Sequence, residues 1–368
     1  MNDIFPVPSD EEAYVSAVCR MWKNNGFMRY SMTKFEEYDT YVKNKDFLVS
    51  ENVLTFHDTD GRLLALKPDV TMSIIKNSPV SPDECRKVFY TENVYRVTKE
   101  SMGYREILQS GIECFGRIDL LCAAQCVLLA AESLRLTGRS YLLEISDMAV
   151  LTFALHAAGV PENAENEFIA AIGEKNLSAL EECCERCGVA PEKKETLMRL
   201  PGLSGSGDAV IPSLRSLFPG CEAVDHLDRL WNVIKTAGDR DRIIFDFSAV
   251  GAVRYYNGIM INGYIEGLPA AVLSGGKYDL LLRRMGRPGE AIGFAVYPDR
   301  LQRIFKKTDE YDFDVRLLYG PDDDAAQVLE LARRLREEKG LSVCPACGED
   351  DLRCRETLVF KEQAKEGC

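Results

Sequence analysis

Two polar side chains stand four residues apart in an otherwise apolar stretch, YREILQSGIECFG (104–116). The stretch is typical of a β-strand, where side chains alternate between two faces, so Gln109 and Glu113 share one face. An amide and a carboxylate on one strand face are candidate functional groups. The alternative is ordinary cross-strand pairing on an exposed face.

The elements that must position this strand are predicted from hydrophobic periodicity and turn residues. A helix is expected at 9–26, with Ser9 as N-cap and Gly26 as C-cap. The tract that follows is rich in strands and holds a hairpin at 53–67 turned by Asp-Thr-Asp-Gly, and a helix near Thr71. The remaining predicted elements of this part are strands at 87–97, 106–116 and 141–147 and a helix at 119–137.

Residues 148–240 differ, because they consist mostly of amphipathic helix patterns broken by prolines. Their Gly- and Ser-rich segment LSGSGD (203–208) matches no phosphate-binding fingerprint and is interpreted as a plain loop. Strand patterns return at 242–250, 258–267, 270–279 and 291–305, the last running into a helix, and a short α/β tail follows. This order predicts an α+β fold with a helical insert, in contrast to an alternating parallel βαβ chain.

The composition is that of a globular protein, with 46% apolar and 28% charged residues among 368. No run of about 18 apolar residues predicts a membrane span, and the acidic N-terminus lacks the pattern of a signal peptide. A cytoplasmic location is therefore expected. The net charge of −13 argues against a nucleic-acid surface without excluding a local basic groove.

The thirteen cysteines are scattered and odd in number, which predicts reduced, mostly buried thiols. Two clusters invite comparison with metal sites: EECCERC (181–187) and CPAC (344–347), which Cys354 and Cys368 follow. CPAC has the spacing of a zinc-ligand pair but lacks a second pair of ligands. We expect no metal at either cluster.

Five stretches, in order, resemble motifs of histidyl-tRNA synthetase, a class II aminoacyl-tRNA synthetase. They are TFHDTDGRLLALKPDVT (55–71), FYTENVYRVTKESMGYREILQSGIECFG (89–116), VRYYNG (253–258), LSGGKYDLL (273–281) and AIGFAVYPDRL (291–301). The resemblance implies a class II synthetase-like antiparallel sheet flanked by helices over residues 1–305, with 148–240 as an insert. Residues 306–368 resemble only the first part of an anticodon-binding domain.

The resemblance also implies roles for individual residues. A histidine pocket would be lined by Asp69, Thr71, Gln109, Glu113, Tyr255 and Tyr256. The acids and the amide would meet the α-ammonium and the ring N–H, and the tyrosines would pack against the imidazole. Arg96 and Arg300 match the arginines of motifs 2 and 3, which hold ATP.

Departures from the synthetase pattern concentrate on the ATP and tRNA side. Gly251 stands where the signature before the tyrosine pair has an arginine, and Arg254 points to the opposite strand face. Tyr297 replaces a glycine and is expected to crowd the adenine site. The motif 2 loop TKESMG (98–103) lacks residues that meet ATP and the tRNA acceptor end.

Two further departures concern assembly. Thr33 occupies the position of the motif 1 proline, which weakens the expectation of an identical dimer interface. The short tail argues against anticodon recognition, so tRNA binding is not expected.

A retained amino-acid pocket beside altered ATP machinery resembles the ATP phosphoribosyltransferase regulatory subunits, the non-catalytic paralogues of the synthetase. Their version of the hairpin motif, R-P-D-M-T, is also similar to K-P-D-V-T (67–71). This resemblance implies no catalytic residues, no cofactor, and histidine as an allosteric ligand. It implies a short-form ATP phosphoribosyltransferase catalytic subunit as partner, with a homodimer inside a hetero-oligomer.

Two other functions stay open on the sequence. One is a truncated histidyl-tRNA synthetase that still forms histidyl-adenylate, and the other is an orphan amino-acid sensor or ligase. The sequence also leaves open whether histidine would bind in the old catalytic pocket or between subunits, and what the helical insert does.

Overall fold

The structure is a computed structural model that describes residues 10–44, 53–97, 103–238, 240–250, 255–305, 311–348 and 353–360. Internal contacts divide the chain into two compact units, Met1–Ile304 and Phe305–Cys368. The predicted division falls one residue later, between 305 and 306.

A mixed sheet forms the framework of the larger unit. Within the described residues it has nine strands in the order β1-β5-β6-β12-β11-β10-β7-β9-β8. Their bounds are β1 Met28–Arg29, β5 Cys85–Val97, β6 Tyr104–Gly116, β7 Tyr141–Asp147, β8 Ser204–Gly205, β9 Ile243–Asp246, β10 Ile259–Ile265, β11 Leu273–Lys277 and β12 Glu290–Val296. The six strands from β5 to β7 in this order are antiparallel to their neighbours, as predicted. The edges depart from the prediction, because β1 pairs with β5 and β9 with β7 in parallel.

Helices flank this sheet, and the α+β class is confirmed. Those outside the insert are α1 Glu11–Asn24, α2 Asp39–Val42, α3 Thr71–Asn77, α4 Leu120–Arg135, α11 Asp279–Arg284 and α12 Pro298–Leu301. Those of the insert are α5 Met148–Ala157, α6 Glu165–Gly173, α7 Leu177–Arg186, α8 Pro191–Met198, α9 Gly207–Leu217 and α10 Glu222–Ala237. None of the helices in the described ranges is long and apolar enough to cross a bilayer.

The hairpin of β5 and β6 places the polar strand face at the centre of the sheet. The two strands pair residue by residue along their length, with Glu92 opposite Gln109 and Val88 opposite Glu113. On its other side β6 pairs with β12, so that both of its edges are hydrogen-bonded. Residues 109–116 are consequently buried on both faces.

A smaller sheet leads into the site. It has the order β2-β4-β3, with β2 at Phe35–Glu37, β3 at Thr55–His57 and β4 at Leu63–Leu66. The predicted turn between β3 and β4 is confirmed: the Asp58 N–H donates to the Arg62 carbonyl at 2.9 Å, and Gly61 adopts a positive φ of 84°. Helix α3 then begins at Thr71, as predicted.

The N-terminal helix α1 begins one residue away from the expected cap. Asp10 is the N-cap, and its Oδ1 accepts a hydrogen bond from the Ala13 N–H at 2.8 Å, so the prediction of Ser9 was wrong. A carboxylate also suits the positive end of the helix dipole better than a hydroxyl does. Asn25 is the C-cap, and Gly26 follows with φ 87°.

One predicted loop of the helical insert is partly ordered structure. The segment 203–208 contains β8, which pairs with β9, and the first residues of α9. The ring of Trp231 on α10 packs on Gly207, where a Cβ would lie 2.5 Å from Trp231 Cδ2. The glycine therefore serves helix packing, which the interpretation as a plain loop missed.

The smaller unit is a short α/β arrangement, as predicted. Strand β13 (Phe313–Leu318) pairs in parallel with β14 (Val343–Ala346) on one side and β15 (Cys354–Val359) on the other. Helix α13 (Ala325–Lys339) connects β13 to β14 and ends at Gly340 in the left-handed conformation, φ 66°.

We expect Trp22→Ala to lower the free energy of unfolding by about 3–5 kcal/mol, the usual cost of removing a buried aromatic side chain. Trp22 on α1 is fully buried and packs against the rings of Phe89 and Phe294. Trp22→Phe should cost less, because the indole N–H has no hydrogen-bond partner among the described residues. Leu121→Ala, at a side chain 72% exposed, should change the urea midpoint little, and equal effects at both positions would contradict this packing.

Candidate functional site

The carboxyl group of Glu113 is the centre of a buried polar cluster. The side chain of Glu113 is 3% exposed. Its Oε1 accepts a hydrogen bond from the Thr71 hydroxyl at 2.7 Å, and its Oε2 accepts one from the Tyr278 hydroxyl. The strand β6, the start of α3 and the residue after β11 therefore meet at one functional group.

A glycine on the neighbouring strand makes room for this carboxyl. Gly293 on β12 is the register partner of Glu113. A Cβ at Gly293 would lie 1.9 Å from Glu113 Oε2, so no larger residue fits without displacing the acid.

Burial changes the protonation of this acid. It raises the pKa of Glu113 from its ordinary value of 4.5 to about 8, although the hydrogen bonds from Tyr278 and Thr71 oppose the shift. The free cluster therefore holds a proton on Glu113 at neutral pH. A cation brought next to Glu113 would favour its ionised form.

Asp69 and Arg96 form a second polar group beside Glu113. Asp69 Oδ1 accepts a hydrogen bond from the Met72 N–H at 2.8 Å, and Oδ2 lies 3.5 Å from Nη2 of Arg96. Arg96 also donates through Nε to the Pro68 carbonyl. Burial raises the pKa of Asp69, while the guanidinium of Arg96 counteracts the rise.

Three tyrosine rings line the cluster. Those of Tyr255 and Tyr256 lie 4.7 Å apart at 65°, and Tyr255 lies 5.9 Å from Tyr278. Tyr255 also shares a hydrogen bond with Thr71. The rings supply flat apolar surface with hydroxyl groups, which suits an aromatic ligand that carries polar atoms.

Gln109 lies on the same face of β6 as Glu113, about 13 Å away at 3.3 Å per residue. It is only 4% exposed, which contradicts the alternative of pairing on an exposed face. Between the two, the Tyr90 hydroxyl covers Gly111, where a Cβ would approach it to 2.8 Å.

Of the six predicted pocket residues, the structure gathers four around the fifth, Glu113, and places Gln109 farther along the strand. The prediction missed Tyr278 and Tyr90. Tyr278 belongs to the quoted stretch LSGGKYDLL, and Tyr90 stands opposite Gly111 in the β5–β6 register. A large residue opposite a glycine was the available signal for Tyr90.

The two arginines predicted for the ATP side lie in different surroundings. Arg96 is buried and bonded to Pro68 and Asp69, as described above. Arg300 in the short helix α12 is exposed. Its guanidinium carbon lies 4.5 Å from the ring centroid of Tyr297, and it donates a hydrogen bond to the Ala271 carbonyl. The Tyr297 hydroxyl lies 2.9 Å from the Ser274 hydroxyl, which holds the ring against the sheet.

Comparison with known proteins identifies the family of the chain. The sequence profile of the family described as histidyl-tRNA synthetase matches residues 4–301. The ATP phosphoribosyltransferase regulatory subunit of Clostridium acetobutylicum is 30% identical over 291 residues, which cover 76% of this chain and 70% of the relative. The chain belongs to the histidyl-tRNA synthetase-like family of ATP phosphoribosyltransferase regulatory subunits.

Solved structures show the fold of this family. The crystal structure of an ATP phosphoribosyltransferase regulatory subunit/histidyl-tRNA synthetase from Bacillus halodurans is similar with a TM-score of 0.82, 23% identity, and coverage of 98% of this chain and 96% of that one. A chain of the ATP phosphoribosyltransferase (HisG:HisZ) complex from Thermotoga maritima gives a TM-score of 0.61 at 17% identity, covering 78% of this chain and 97% of that one.

Among the predicted departures from the synthetase pattern, Gly251, Arg254 and loop residues 98–102 lie outside the described residues. Thr33 lies before β2, is exposed, and donates to the Phe35 carbonyl at 2.8 Å.

The family's helical insert borders a separate cavity of about 760 Å³. Its lining includes Asp147, His226, Asn257, Lys277 and Glu290, and none of the eight predicted site residues. Burial raises the pKa of Asp147 to about 7. Asn257 and Gly258 belong to the quoted stretch VRYYNG and Lys277 to LSGGKYDLL, but neither motif predicted a second cavity.

We expect the stability of the chain to fall as pH rises from about 5 to about 8, in part because of Glu113. The folded chain keeps a proton on this carboxyl that the unfolded chain has released, so each pH unit in this range costs up to about 1.4 kcal/mol. Glu113→Gln should flatten that dependence in urea unfolding curves. Glu106→Gln, at an exposed position of the same strand, should leave it unchanged, and a parallel shift of all three proteins would contradict the assignment.

Proposed function

We propose that this chain is a non-catalytic regulatory subunit of ATP phosphoribosyltransferase. It joins a short-form catalytic subunit in the first step of histidine biosynthesis, is required for the activity of that subunit, and confers feedback inhibition by histidine. Family membership supports this function, and so does the fold shared with a chain of the Thermotoga maritima complex.

One observation carries the proposal. The buried polar cluster around Glu113 is complete, whereas the two arginines predicted for the ATP side already contact other groups of the chain. Asp69, Thr71 and Glu113 are buried and connected. Arg96 neutralises Asp69, and Arg300 stacks on Tyr297. The chain thus keeps the groups that recognise a small zwitterion more fully than those that would stabilise a reacting phosphate.

The chemical groups of the polar cluster around Glu113 suit histidine as a ligand. An α-ammonium needs carboxylates, which Glu113 and Asp69 offer. An α-carboxylate needs a cation or an amide donor; Gln109 offers an amide, whereas Arg96 is already paired with Asp69. The imidazole would lie against Tyr255 and Tyr256, whose hydroxyl groups can pair with its ring nitrogens. The match is required because unpaired polar groups in a buried site cost free energy on both partners.

Adenylation makes different demands, and we infer that synthetase activity has been lost. Joining a carboxylate to the α-phosphate of ATP concentrates negative charge, which needs cations that are free to move onto the phosphates. The side chain of Tyr297, fixed by Ser274 and covered by Arg300, stands where the synthetase pattern has a glycine. It narrows the space expected for the adenine.

The proposed mechanism is therefore allosteric. Histidine shifts the hetero-oligomer toward an inactive state by binding it more tightly than the active state. We further infer that the chain forms a homodimer inside this hetero-oligomer, acts in the cytoplasm and does not bind tRNA.

Co-expression with the short-form catalytic subunit of the same genome tests the assignment. The two chains should co-purify, and the complex should form phosphoribosyl-ATP faster than the catalytic subunit alone and lose activity when histidine is added. Absence of both a complex and activation would refute the proposal. Histidine-dependent exchange of pyrophosphate into ATP by the isolated chain would instead support a truncated synthetase.

We expect histidine binding near pH 7 to release a fraction of one proton, because the ligand's ammonium favours ionised Glu113. Calorimetry in buffers of different ionisation enthalpy measures this release. Glu113→Gln should abolish it and weaken binding about 10- to 100-fold, as expected for a lost charged hydrogen bond of about 1.5–3 kcal/mol.

The matched variant Glu106→Gln should keep both the affinity and the proton release of the parent chain. If Glu113→Gln leaves inhibition of the complex by histidine unchanged, the ligand uses a site between subunits, and the pocket assignment fails while the regulatory function stands.

A further inference from the structure

Three cysteines from three separate elements converge on the face of β6 opposite to Glu113. Cys85 begins β5, Cys114 lies near the end of β6, and Cys122 lies in the first turn of α4. Their sulfur atoms all lie within 4.8 Å of one another, and the Sγ atoms of Cys85 and Cys122 are 3.6 Å apart. All three are free thiols.

Backbone pairing and a helix cap produce this convergence. Cys114 is opposite Lys87 and Cys85 is opposite Gly116, so the two cysteines are diagonal neighbours on one face of the hairpin. Asp119 caps α4 by accepting a hydrogen bond from the Cys122 N–H at 2.9 Å, which sets the first turn of the helix over that face.

The spacing of the sulfurs suits a thiophilic ion. Zinc binds thiolates tetrahedrally at about 2.3 Å, which places neighbouring sulfurs about 3.8 Å apart. The separation of 3.6 Å between the sulfurs of Cys85 and Cys122 is within the usual tolerance of such sites, and the other two separations are no longer than 4.8 Å. Among the described residues, no other group of three potential ligands is as close together, and the clusters 181–187 and 344–347 do not form one.

Charge and access also favour an ion here. Three thiolates around a divalent ion carry one net negative charge, which the ammonium of Lys87 can offset; Gln125 holds that ammonium at 2.6 Å.

Cys114 and Cys122 are buried, whereas Cys85 is half-buried and borders a surface cavity of about 400 Å³. That cavity supplies a path for the ion and an open fourth coordination position.

We propose that Cys85, Cys114 and Cys122 form a three-thiolate site for a divalent ion of the zinc class, completed by a water molecule from the cavity. Formation of the three metal–sulfur bonds displaces the three thiol protons to solvent. The bound ion would join the β5–β6 hairpin to α4. The proposal is independent of histidine binding and of the partner subunit.

Titration of the reduced, metal-free full chain with Cd²⁺ tests the site through thiolate-to-metal absorption in the ultraviolet. We expect about one equivalent to bind with the absorbance of three sulfurs, and Zn²⁺ to compete. Cys85→Ser should weaken binding by more than the roughly 10- to 100-fold that loss of an outer-shell partner causes. The control variant Cys183→Ser/Cys184→Ser/Cys187→Ser should retain the absorbance.

A second measurement uses the parent chain, so its result does not depend on whether Cys85→Ser folds. Zn²⁺ should slow alkylation of Cys85, mapped by peptide mass, while the exposed Cys347 continues to react. Unchanged alkylation of Cys85, unchanged Cd²⁺ absorbance in Cys85→Ser, or a Cys85–Cys122 disulfide in place of metal binding would each overturn the proposal.

Discussion

A buried carboxyl group needs hydrogen bonds from the protein, and Glu113 receives them from Thr71 and Tyr278. The two donors belong to different elements. The carboxyl group of Glu113 on β6 therefore holds the start of α3 and the residue after β11 in position relative to that strand. The absence of a side chain at Gly293 is part of the same arrangement. A change at Glu113, Thr71, Tyr278 or Gly293 leaves a buried polar atom unpaired or displaces it. Each of the four residues therefore depends on the other three.

This arrangement separates recognition from reaction. On the proposed function, recognition of an ammonium needs a Glu113 that can ionise beside the incoming cation, and the hydrogen bonds from Thr71 and Tyr278 favour that ionised form. Reaction would need arginines that can move toward phosphates. Arg96 is committed to Asp69 and Pro68, and Arg300 to Tyr297. A protein that binds an amino acid as a signal requires only the first set of properties, and differential affinity between two assembly states is sufficient to transmit the signal.

Local patterns allowed much of this to be predicted. Alternation along β6 placed Gln109 and Glu113 on one face, and turn residues located the β3–β4 hairpin before the structure was known. What failed depends on contacts distant in sequence. The two-residue strand β1 is too short to show a periodicity, and its parallel pairing is with β5, a strand distant in sequence. The approach of Cys85, 29 residues before Cys114, depends on the hairpin register. Resemblance to a family supplied residue roles that periodicity alone could not.

The two faces of β6 carry chemically different neighbours at consecutive positions. Glu113 faces hydroxyl groups, whereas Cys114 faces α4 and two other thiols. A slip of one residue against β5 during folding would exchange them, because side chains alternate strictly along a strand. The acid would then lie among the thiols beside α4, and the thiol would leave the hydroxyl groups of Thr71 and Tyr278 without an acceptor. A misaligned hairpin is therefore destabilised on both faces of β6 at once, which favours the native register of the sheet.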